Sequence, residues 1–482
     1  MAWTAIMRWS SQLVSWAATF YAARLLAPSD YGIVGMATLA IGFARMVEDF
    51  GLDSIFIQDR SIGGERQAAL AGFIVGIGVL FCLIFIAISI PVAQFFKEPH
   101  VVWAVCGLSL LCITDALQVV PRALIQRELK FGALAAVSFG QMVVTQATLV
   151  VSALLGFGFK ALVFNSLAGG LFGVAVLYYL RPYTIAWPRN IPALARPLLQ
   201  GWRVVASRIA YYLYTSADQW IIGRMLGKDA LGSYQFASTL STTAVQEVGS
   251  VVSKVVPGIF SAAQDRRDEL RRYYLVLTEL VAYLTLPMSI GIGLTADLVV
   301  AVLLGPQWSA VVAPLRILCI YVAFSNSQML VSHVMVWTGQ FRAQMWCTIV
   351  TTAFLPLSFL VGVKFGLAGI AWMWAIVYPL TNIPAIIIGF RTISINVFDW
   401  LRALWPALVS CALMCAAVIG VRTQLAAIAD VRIELAVAIG TGVVVYAAAL
   451  GLLFRNRLRA MVDIIRHAKS GQQVSSAATS TA

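Results

Sequence analysis

The feature that most constrains this chain is a repeat of its opening segment about 200 residues further along. Seven residues recur at this constant offset without a gap. Arg8, Leu13, Ala17, Arg24, Leu26, Gly32 and Ala37 correspond to Arg208, Leu213, Ala217, Arg224, Leu226, Gly232 and Ala237. Both copies lie in long apolar stretches. A duplication of this kind in an apolar chain is typical of transporters whose two halves enclose a site between them.

The composition excludes a soluble globular protein. Hydrophobic residues make up 60% of the 482 residues and charged residues only 11%, whereas soluble domains carry about 25% charged residues. A helix needs about 20 apolar residues to cross a bilayer, because it must satisfy its own backbone there. The sequence predicts about fourteen such spans, at residues 4–24, 32–57, 68–90, 101–121, 134–156, 159–180, 204–224, 232–258, 273–296, 311–336, 344–362, 366–389, 404–421 and 433–454.

These spans leave no room for a soluble catalytic or nucleotide-binding domain. The sequence has no phosphate-binding loop of the GxxxxGK type, no HExxH pair and no recognisable nucleophile with its base. Its seven cysteines all fall in apolar spans, so neither a disulfide framework nor a metal site is expected. We predict that the chain is not an enzyme and uses no cofactor.

Lys and Arg are distributed unevenly between alternate loops. With the N-terminus in the cytoplasm, 22 of the 34 Lys and Arg residues are cytoplasmic and 8 lie on the opposite side. This bias follows the positive-inside rule, so we predict an even number of spans with both termini cytoplasmic. The net charge of +13 then reflects topology, and no nucleic-acid partner is expected.

The repeat divides the predicted spans into two sets of six. Because six is even, both copies have the same orientation and are related by an axis along the membrane normal. We predict an all-α integral membrane protein with two six-helix bundles in a parallel pseudo-two-fold repeat, plus two C-terminal helices. The predicted parts are an N-terminal bundle (1–180), a Pro/Arg-rich cytoplasmic linker (181–203), a C-terminal bundle (204–390), two additional helices (404–454) and a basic, then disordered tail (455–482).

Several polar residues lie inside the predicted spans. A charge at the membrane midplane costs at least ~2.5–3.5 kcal/mol, so it is kept only where it faces protein or water. The cations that could line a central cavity are Arg8, Arg45, Arg208 and Lys254. The supporting polar or ion-pair candidates are Glu48, Asp49, Asp218, Glu247 and Asn326. If the cations share one cavity, its ligand should be anionic, because guanidinium groups bind phosphate through paired hydrogen bonds.

Each candidate also has a structural interpretation, which the sequence leaves open. Carboxylates follow Arg45 at i+3 and i+4, so it could form an ion pair within its own helix. Arg8 and Arg208 lie about one turn from the cytoplasmic ends of their spans and could extend to the interface. Asp218 and Asn326 could serve helix packing, because such residues often hydrogen-bond between membrane helices.

The two copies turn at the outer surface in the same way. Arg24 and Arg224 end the first span of each copy, and we interpret them as interfacial anchors or loop clamps. Asp30 and Asp229 follow in the turn, and we predict that each is the N-cap of the next helix.

Four segments carry a resemblance to a known family. They are RLLAPSDYG at 24–32, EDFGLDS at 48–54, ALIQRELKF at 123–131, and DQWIIGR with the following GSY at 218–234. In this order and spacing they resemble motifs of the polysaccharide flippases, the polysaccharide transport branch of the multidrug/oligosaccharidyl-lipid/polysaccharide exporter superfamily. Wzx-like and colanic-acid-type exporters are the most similar members. The resemblance covers roughly residues 1–400.

The resemblance implies movement of undecaprenyl-diphosphate-linked oligosaccharide across the bacterial inner membrane by alternating access, for exopolysaccharide, capsule or O-antigen. It implies the lipid-linked substrate and membrane lipids as partners, with polymerase and glycosyltransferase machinery as further ones. In such flippases, basic residues of helices 1, 2, 7 and 8 line the cavity that takes the diphosphate. By position, these residues are Arg8, Arg45, Arg208 and Lys254.

Three other functions remain open at this point. A cation-coupled multidrug antiporter of the same superfamily typically needs a deep carboxylate in helix 1, where this chain carries Arg8 instead. A peptidoglycan-precursor flippase would work by similar physics on different sugars. A non-transporting subunit of a polysaccharide assembly complex would use the membrane charges only for packing.

Overall fold

The computed structural model describes residues 2–48, 64–186, 211–263, 267–425 and 430–455, with 209 and 457 as single residues. Within these helices, the side chains of 2–11, 13, 43–48, 66, 244, 247, 250–259, 261–263, 267 and 327 lie outside the description. All regular elements of the described residues are helices. This confirms the prediction of an all-α integral membrane protein.

Fifteen α-helices are numbered here in chain order. They are α1 (Ala2–Leu25), α2 (Pro28–Glu48), α3 (Gly64–Phe96), α4 (His100–Arg127), α5 (Phe131–Leu154), α6 (Phe159–Leu180), α7 (Ala217–Met225), α8 (Lys228–Ala263), α9 (Arg267–Leu294), α10 (Ala296–Leu303), α11 (Val312–Trp337), α12 (Phe341–Gly362), α13 (Gly366–Thr392), α14 (Val397–Leu425) and α15 (Val431–Leu453). Two short 3₁₀ helices, Pro306–Val311 and Val363–Phe365, connect some of them. Residues 211–215 are also helical.

Nine helical segments of the described residues are long and apolar enough to cross a membrane. One of them, 341–392, covers two consecutive helices. In addition, α1 and α2 pass the same test only as a pair, bent by 118° between them. The chain is therefore a multi-pass membrane protein.

Most helices extend beyond the apolar spans predicted for them. For example, α8 covers Lys228–Ala263 where the apolar run covers 232–258, and α14 covers Val397–Leu425 where it covers 404–421. Hydropathy detects only the part of a helix that is apolar, and these helices continue through amphipathic ends. The predicted span 204–224 is interrupted in its described part by a turn at Ser216.

The acidic residues of the two outer turns are not the N-caps that the sequence predicts. Helix α2 begins at Pro28, so Asp30 lies in its first turn, where its Oδ2 accepts a hydrogen bond of 2.9 Å from the Ala27 N–H. Asp229 likewise follows the first residue of α8. Proline is favoured at the first helical position, and this shifts the start of α2 ahead of the acid.

The chain forms two compact units. The first comprises Met1–Phe236, Leu303–Val311 and Phe359–Ile370, and the second comprises Ala237–Val302, Val312–Ser358 and Ala371–Ala482. The domain boundaries predicted from the sequence stay predictions.

The first unit is built around α3, α4 and α6. Helix α4 packs against α3 and α6, while α2 packs against α4 and α1 against α5. The apolar core between α3 and α4 includes Ala71, Val120 and Ala123, each at most 1% exposed. The turns at 24–32 and 224–232 both belong to this unit, so its scaffold positions the site described below.

In the second unit, α9 packs against both α11 and α14, and α14 packs against α15. A buried cluster that includes Ala282 and Ala407 joins α9 to α14. The Tyr446 hydroxyl of α15 donates a hydrogen bond of 2.9 Å to the Tyr283 carbonyl of α9. The two additional C-terminal helices are thus attached through α9.

Candidate gate where the two repeat copies meet

Two glycines that the repeat makes equivalent lie where α2 and α8 cross. A Cβ on Gly32 would lie 1.8 Å from the carbonyl oxygen of Lys228, and a Cβ on Gly232 would lie 2.0 Å from that of Pro28. Pro28 and Lys228 are themselves separated by the repeat offset. The crossing is therefore two-fold symmetric, and only glycine allows the backbones to approach this closely.

The equivalent arginines form a reciprocal pair of contacts around this crossing. Arg24 of the first copy donates through Nε to the Leu303 carbonyl at 3.3 Å, and Leu303 ends α10 in the second copy. Arg224 of the second copy donates through Nη1 to the Phe95 carbonyl at 2.5 Å, in the last turn of α3 of the first copy. Cations at helix C-termini bind the free carbonyls and interact favourably with the helix dipole. Each copy thus holds the end of a helix of the other, as the loop-clamp interpretation predicts.

We call the crossing of Gly32 and Gly232, together with Arg24, Arg224 and the residues around them, the clasp. Its first side is the region around Arg24, and Trp308 is the central residue of that side. This indole is fully buried, and its Nε1 donates a hydrogen bond of 2.8 Å to the Ala23 carbonyl. The rings of Tyr31 and Phe236 pack edge-on against it, with centroids 5.4 and 4.4 Å away. This side of the clasp is a mainly apolar cluster, in which the indole N–H is hydrogen-bonded and the buried Tyr31 hydroxyl has no hydrogen-bond partner among the described residues.

The second side of the clasp is polar. Lys228 Nζ lies 2.9 Å from Glu98 Oε2, and His100 Nδ1 lies 2.5 Å from Glu98 Oε1. Burial alone would raise the pKa of the Glu98 carboxyl, but the hydrogen bonds from His100 and Lys228 and the charge of Lys228 hold it below its usual value. This side therefore contains an ionised carboxylate at neutral pH.

Aromatic rings support the second side as well. The Phe96 ring stacks on Trp220 of α7 at 5.3 Å, and the Arg224 guanidinium lies 5.4 Å from the centroid of the Phe95 ring. A cation over an aromatic face is attracted by the ring quadrupole. Both contacts join α3 to α7.

Of the polar candidates, Asp218 lies next to the clasp. Its carboxylate is buried and accepts a hydrogen bond of 2.8 Å from the Tyr234 hydroxyl, which joins α7 to the first turns of α8. Its other oxygen accepts from the Gln219 N–H at 2.7 Å. Asn326 lies elsewhere, half-buried in α11, and donates to the Val322 carbonyl of its own helix at 2.8 Å.

The side chains of the other candidates lie outside the described residues, so the structure does not show whether they come together. For some of these candidates the structure shows only the helix to which they belong. Arg8 belongs to α1, Arg45 and Glu48 to α2, and Glu247 and Lys254 to α8, whereas Arg208 and Asp49 lie outside the description altogether. The cationic cavity stays a prediction.

Sequence reasoning missed Trp308 and Glu98. Trp308 follows the end of a predicted span, where tryptophans commonly lie at the membrane interface. The neighbouring sequence does not distinguish such a residue from a tryptophan buried in a contact between helices. Glu98 lies in a short loop, and its partner Lys228 is 130 positions away. A search for opposite charges among the loops on the same predicted side of the membrane could have found this pair.

With this geometry in place, the chain can be compared with known proteins. Residues 22–313 match the profile of the family described as "Polysaccharide biosynthesis protein". The chain belongs to this family. The match includes the clasp and all four segments that carry the resemblance, which confirms the family that the sequence predicts.

Curated relatives are identical to the chain at about a quarter of the aligned positions. The lipopolysaccharide biosynthesis protein WzxC of Escherichia coli (strain K12) is 24% identical over 309 residues, 62% of this chain and 61% of WzxC. The succinoglycan biosynthesis transport protein ExoT of Rhizobium meliloti (strain 1021) is 25% identical over 290 residues, 60% of this chain and 58% of ExoT. The chain therefore matches about three fifths of the length of these relatives.

One solved structure has the same fold as this chain over nearly the whole length of the chain. Lipid II flippase MurJ in an inward closed conformation superimposes with a TM-score of 0.73, covering 95% of this chain and all of MurJ. The sequences are only 11% identical, so the likeness concerns the fold alone.

Proposed function

We propose that this chain moves undecaprenyl-diphosphate-linked oligosaccharide across the bacterial inner membrane for synthesis of exopolysaccharide, capsule or O-antigen. Membership of the polysaccharide biosynthesis family and the MurJ-like fold support this proposal. The names of WzxC and ExoT place those relatives in polysaccharide biosynthesis, and that of ExoT describes transport. On this proposal the chain is a transporter and not an enzyme.

The observation that carries the proposal is the clasp. A transporter built from two repeats works by opening its halves alternately to the two sides of the membrane. The clasp joins the repeat copies at one end, through contacts short enough to exclude a substrate. We propose that it is the outer gate, because the loop charges put both termini in the cytoplasm and the Arg24 turn on the opposite side.

The proposed ligand of the cytoplasm-facing cavity is the diphosphate of the lipid-linked substrate. We propose that Arg8, Arg45, Arg208 and Lys254 bind it, with Glu48, Asp49 and Glu247 as ion-pair partners. The support is chemical. Cations inside membrane spans are kept where they face protein or water, and guanidinium groups match phosphate oxygens.

Reversible closure of the clasp tests the gate. The seven native cysteines are replaced, and Glu98→Cys and Lys228→Cys are introduced, since these side chains meet at 2.9 Å. A short reducible bis-thiosulfonate reagent then links them in cells whose surface polysaccharide depends on this chain. We expect export to stop on cross-linking and to return on reduction.

Each single-cysteine variant serves as the control for that experiment, since it reacts with the reagent without linking the copies. Unchanged export in cells where nearly all of the protein is cross-linked would refute the gate. Export of drugs in place of surface polysaccharide would instead indicate the multidrug antiporter.

The cavity is tested by Arg45→Ala and Lys254→Ala. We expect loss of surface polysaccharide at normal protein abundance, because the diphosphate loses a cationic partner. Arg342→Ala, an exposed cation on the predicted cytoplasmic side, is the matched control. Normal export in both variants would contradict the cationic cavity, and loss of the protein itself would indicate structural ion pairs.

A further inference from the structure

A cavity of about 470 Å³ lies inside the second compact unit. Three helix ends line it. The end of α9 contributes Ser289, Ile290, Gly293 and Leu294, the start of α11 contributes Arg316, Cys319 and Ile320, and the end of α14 contributes Arg422. The volume is within the range of small-molecule sites, about 300–1,000 Å³.

The two cations of this cavity lie at its mouth. Arg316 is four residues into α11 and Arg422 three residues before the end of α14, about 6 and 4.5 Å from the helix ends at 1.5 Å per residue. Ile320 lies about 12 Å into α11 at the same rise per residue, one turn deeper than Arg316, and Ile290 lies about 6 Å from the end of α9, level with Arg316. Guanidinium donors at the mouth, next to the apolar side chains of Ile290 and Ile320, are the pattern that an amphiphile with a phosphate headgroup requires.

The arginines are fixed in place by carboxylates that do not line the cavity. Asp297 lies between them, with Oδ1 2.9 Å from Arg316 Nη2 and Oδ2 2.5 Å from Arg422 Nη2. Arg422 also donates to the Leu294 carbonyl at 2.7 Å and to Glu434 at 3.2 Å. Burial alone would raise the pKa of Asp297, but the hydrogen bond and charge of Arg422 hold it below its usual value, so it stays ionised.

Arg316 keeps unused donors toward the cavity. Half of its side chain is exposed, and within the described residues its single protein partner is Asp297. A guanidinium presents five N–H donors, so most of those on Arg316 are left for another acceptor. A half-exposed charge beside membrane helices is stable only against water or an anionic group.

We propose that this cavity binds an anionic phospholipid, with the phosphate on Arg316 and Arg422 and an acyl chain against Ile290 and Ile320. Basic pockets between membrane helices bind anionic lipid headgroups in this way. By the loop charges, the site faces the outer leaflet. It shares no residue with the diphosphate cavity proposed above, and its occupancy does not depend on transport.

The test measures lipid retention by native mass spectrometry of the purified full chain. The probes are phosphatidylglycerol, phosphatidylcholine with the same acyl chains, undecaprenyl phosphate and inorganic phosphate. We expect phosphatidylglycerol to bind about tenfold more tightly than phosphatidylcholine, because both lipids carry the phosphate but the arginines repel the choline cation of the second. Tenfold corresponds to about 1.4 kcal/mol. Equal retention of the two phospholipids, or preferential retention of undecaprenyl phosphate or inorganic phosphate, would overturn the proposal.

Two variants and a control locate the binding. Arg316→Gln should abolish the preference for phosphatidylglycerol, whereas Arg432→Gln, an exposed cation at the start of α15 that does not line the cavity, should preserve it. Ile320→Trp should fill the apolar interior and reduce retention of both phospholipids without a change in charge. If Arg316→Gln fails to fold, Ile320→Trp decides alone. Unchanged retention in Ile320→Trp, or equal losses in Arg316→Gln and Arg432→Gln, would refute the site.

Discussion

The two sides of the clasp occupy equivalent places in the repeat, yet different chemistry holds each of them. Around Arg24, the contact is the buried Trp308 cluster, in which the indole and the neighbouring Gln307 amide donate hydrogen bonds to backbone carbonyls. Around Arg224, the contact is the partly exposed ion pair of Glu98 and Lys228. Apolar burial does not depend on pH, whereas a partly exposed ion pair is weakened by acid and by salt. The duplicated scaffold thus supports one side that is insensitive to pH and salt and one side that responds to both.

The substitution with the largest expected effect on stability truncates the central residue of the apolar side. Trp308→Ala should lower the free energy of unfolding by about 3–5 kcal/mol, the usual cost of truncating a large buried aromatic residue. Thermal unfolding of the purified protein measures this. His100→Ala, on the polar side and exposed, is the matched control and should cost less than about 1 kcal/mol. Equal decreases in the free energy of unfolding in the two variants would contradict the proposed difference between the apolar and the polar side.

The next effect concerns the crossing that both sides share. Gly32→Ala and Gly232→Ala should each cost about 1–3 kcal/mol, because the new Cβ meets a backbone carbonyl and forces α2 and α8 apart. Labelling of a cysteine at Gln235 with an impermeant maleimide should increase in both variants. Gly132→Ala is the control, since a Cβ there has open space within its helix and should be neutral or slightly stabilising. A crossing that tolerates alanine at either position would contradict the symmetric contact.

The two arginines sharpen the comparison. Arg224→Gln should lower the free energy of unfolding by about 1–2 kcal/mol, because it loses a charge-assisted hydrogen bond and a cation–π contact. Arg24→Gln should cost less, about 0.5–1 kcal/mol, since its hydrogen bond to Leu303 is longer. Urea titration of the two variants in parallel measures the difference. A larger loss at Arg24 would reverse this order.

The smallest effect is the pH dependence of the polar side. The folded pKa of Glu98 is lowered, so its contribution is fully present above the unfolded value and is lost as pH falls through the folded one. Between pH 8 and about 6 no change from this group is expected. Glu98→Gln should lower the free energy of unfolding by less than about 1 kcal/mol at neutral pH. It should also abolish the loss of stability in acid that is due to Glu98, whereas Arg24→Gln should retain this loss. The free energy of unfolding measured against pH, at low and at high salt, tests this prediction. If Glu98→Gln leaves the loss of stability in acid unchanged, a group other than Glu98 causes that loss.

Much of the scaffold could be predicted from the sequence because its signals are local. Apolar runs located the membrane helices, and the constant offset of Gly32 and Gly232 indicated a duplication. The offset also paired Arg24 with Arg224 as clamps. Hydropathy could not locate helix ends that continue through amphipathic turns, such as the start of α8 at Lys228.

The partners in the clasp could not be predicted, because each joins positions far apart in the chain. Arg24 meets Leu303 and Arg224 meets Phe95, and neither pairing leaves a mark in the neighbouring sequence. Trp308 shows the same limit, since its burial depends on α1, almost 300 residues earlier. Repeat symmetry supplies part of this information, since a contact found in one copy suggests its counterpart in the other.

The glycine crossing has a consequence for the order in which the chain is made. Gly32 leaves the ribosome about 200 residues before Gly232, which at 5–20 residues per second is an interval of about 10–40 s. During that interval the close-packing surface at the tip of α2 has no counterpart. The first copy therefore enters the bilayer with an incomplete surface, and lipids or insertion machinery must cover it until the second copy arrives.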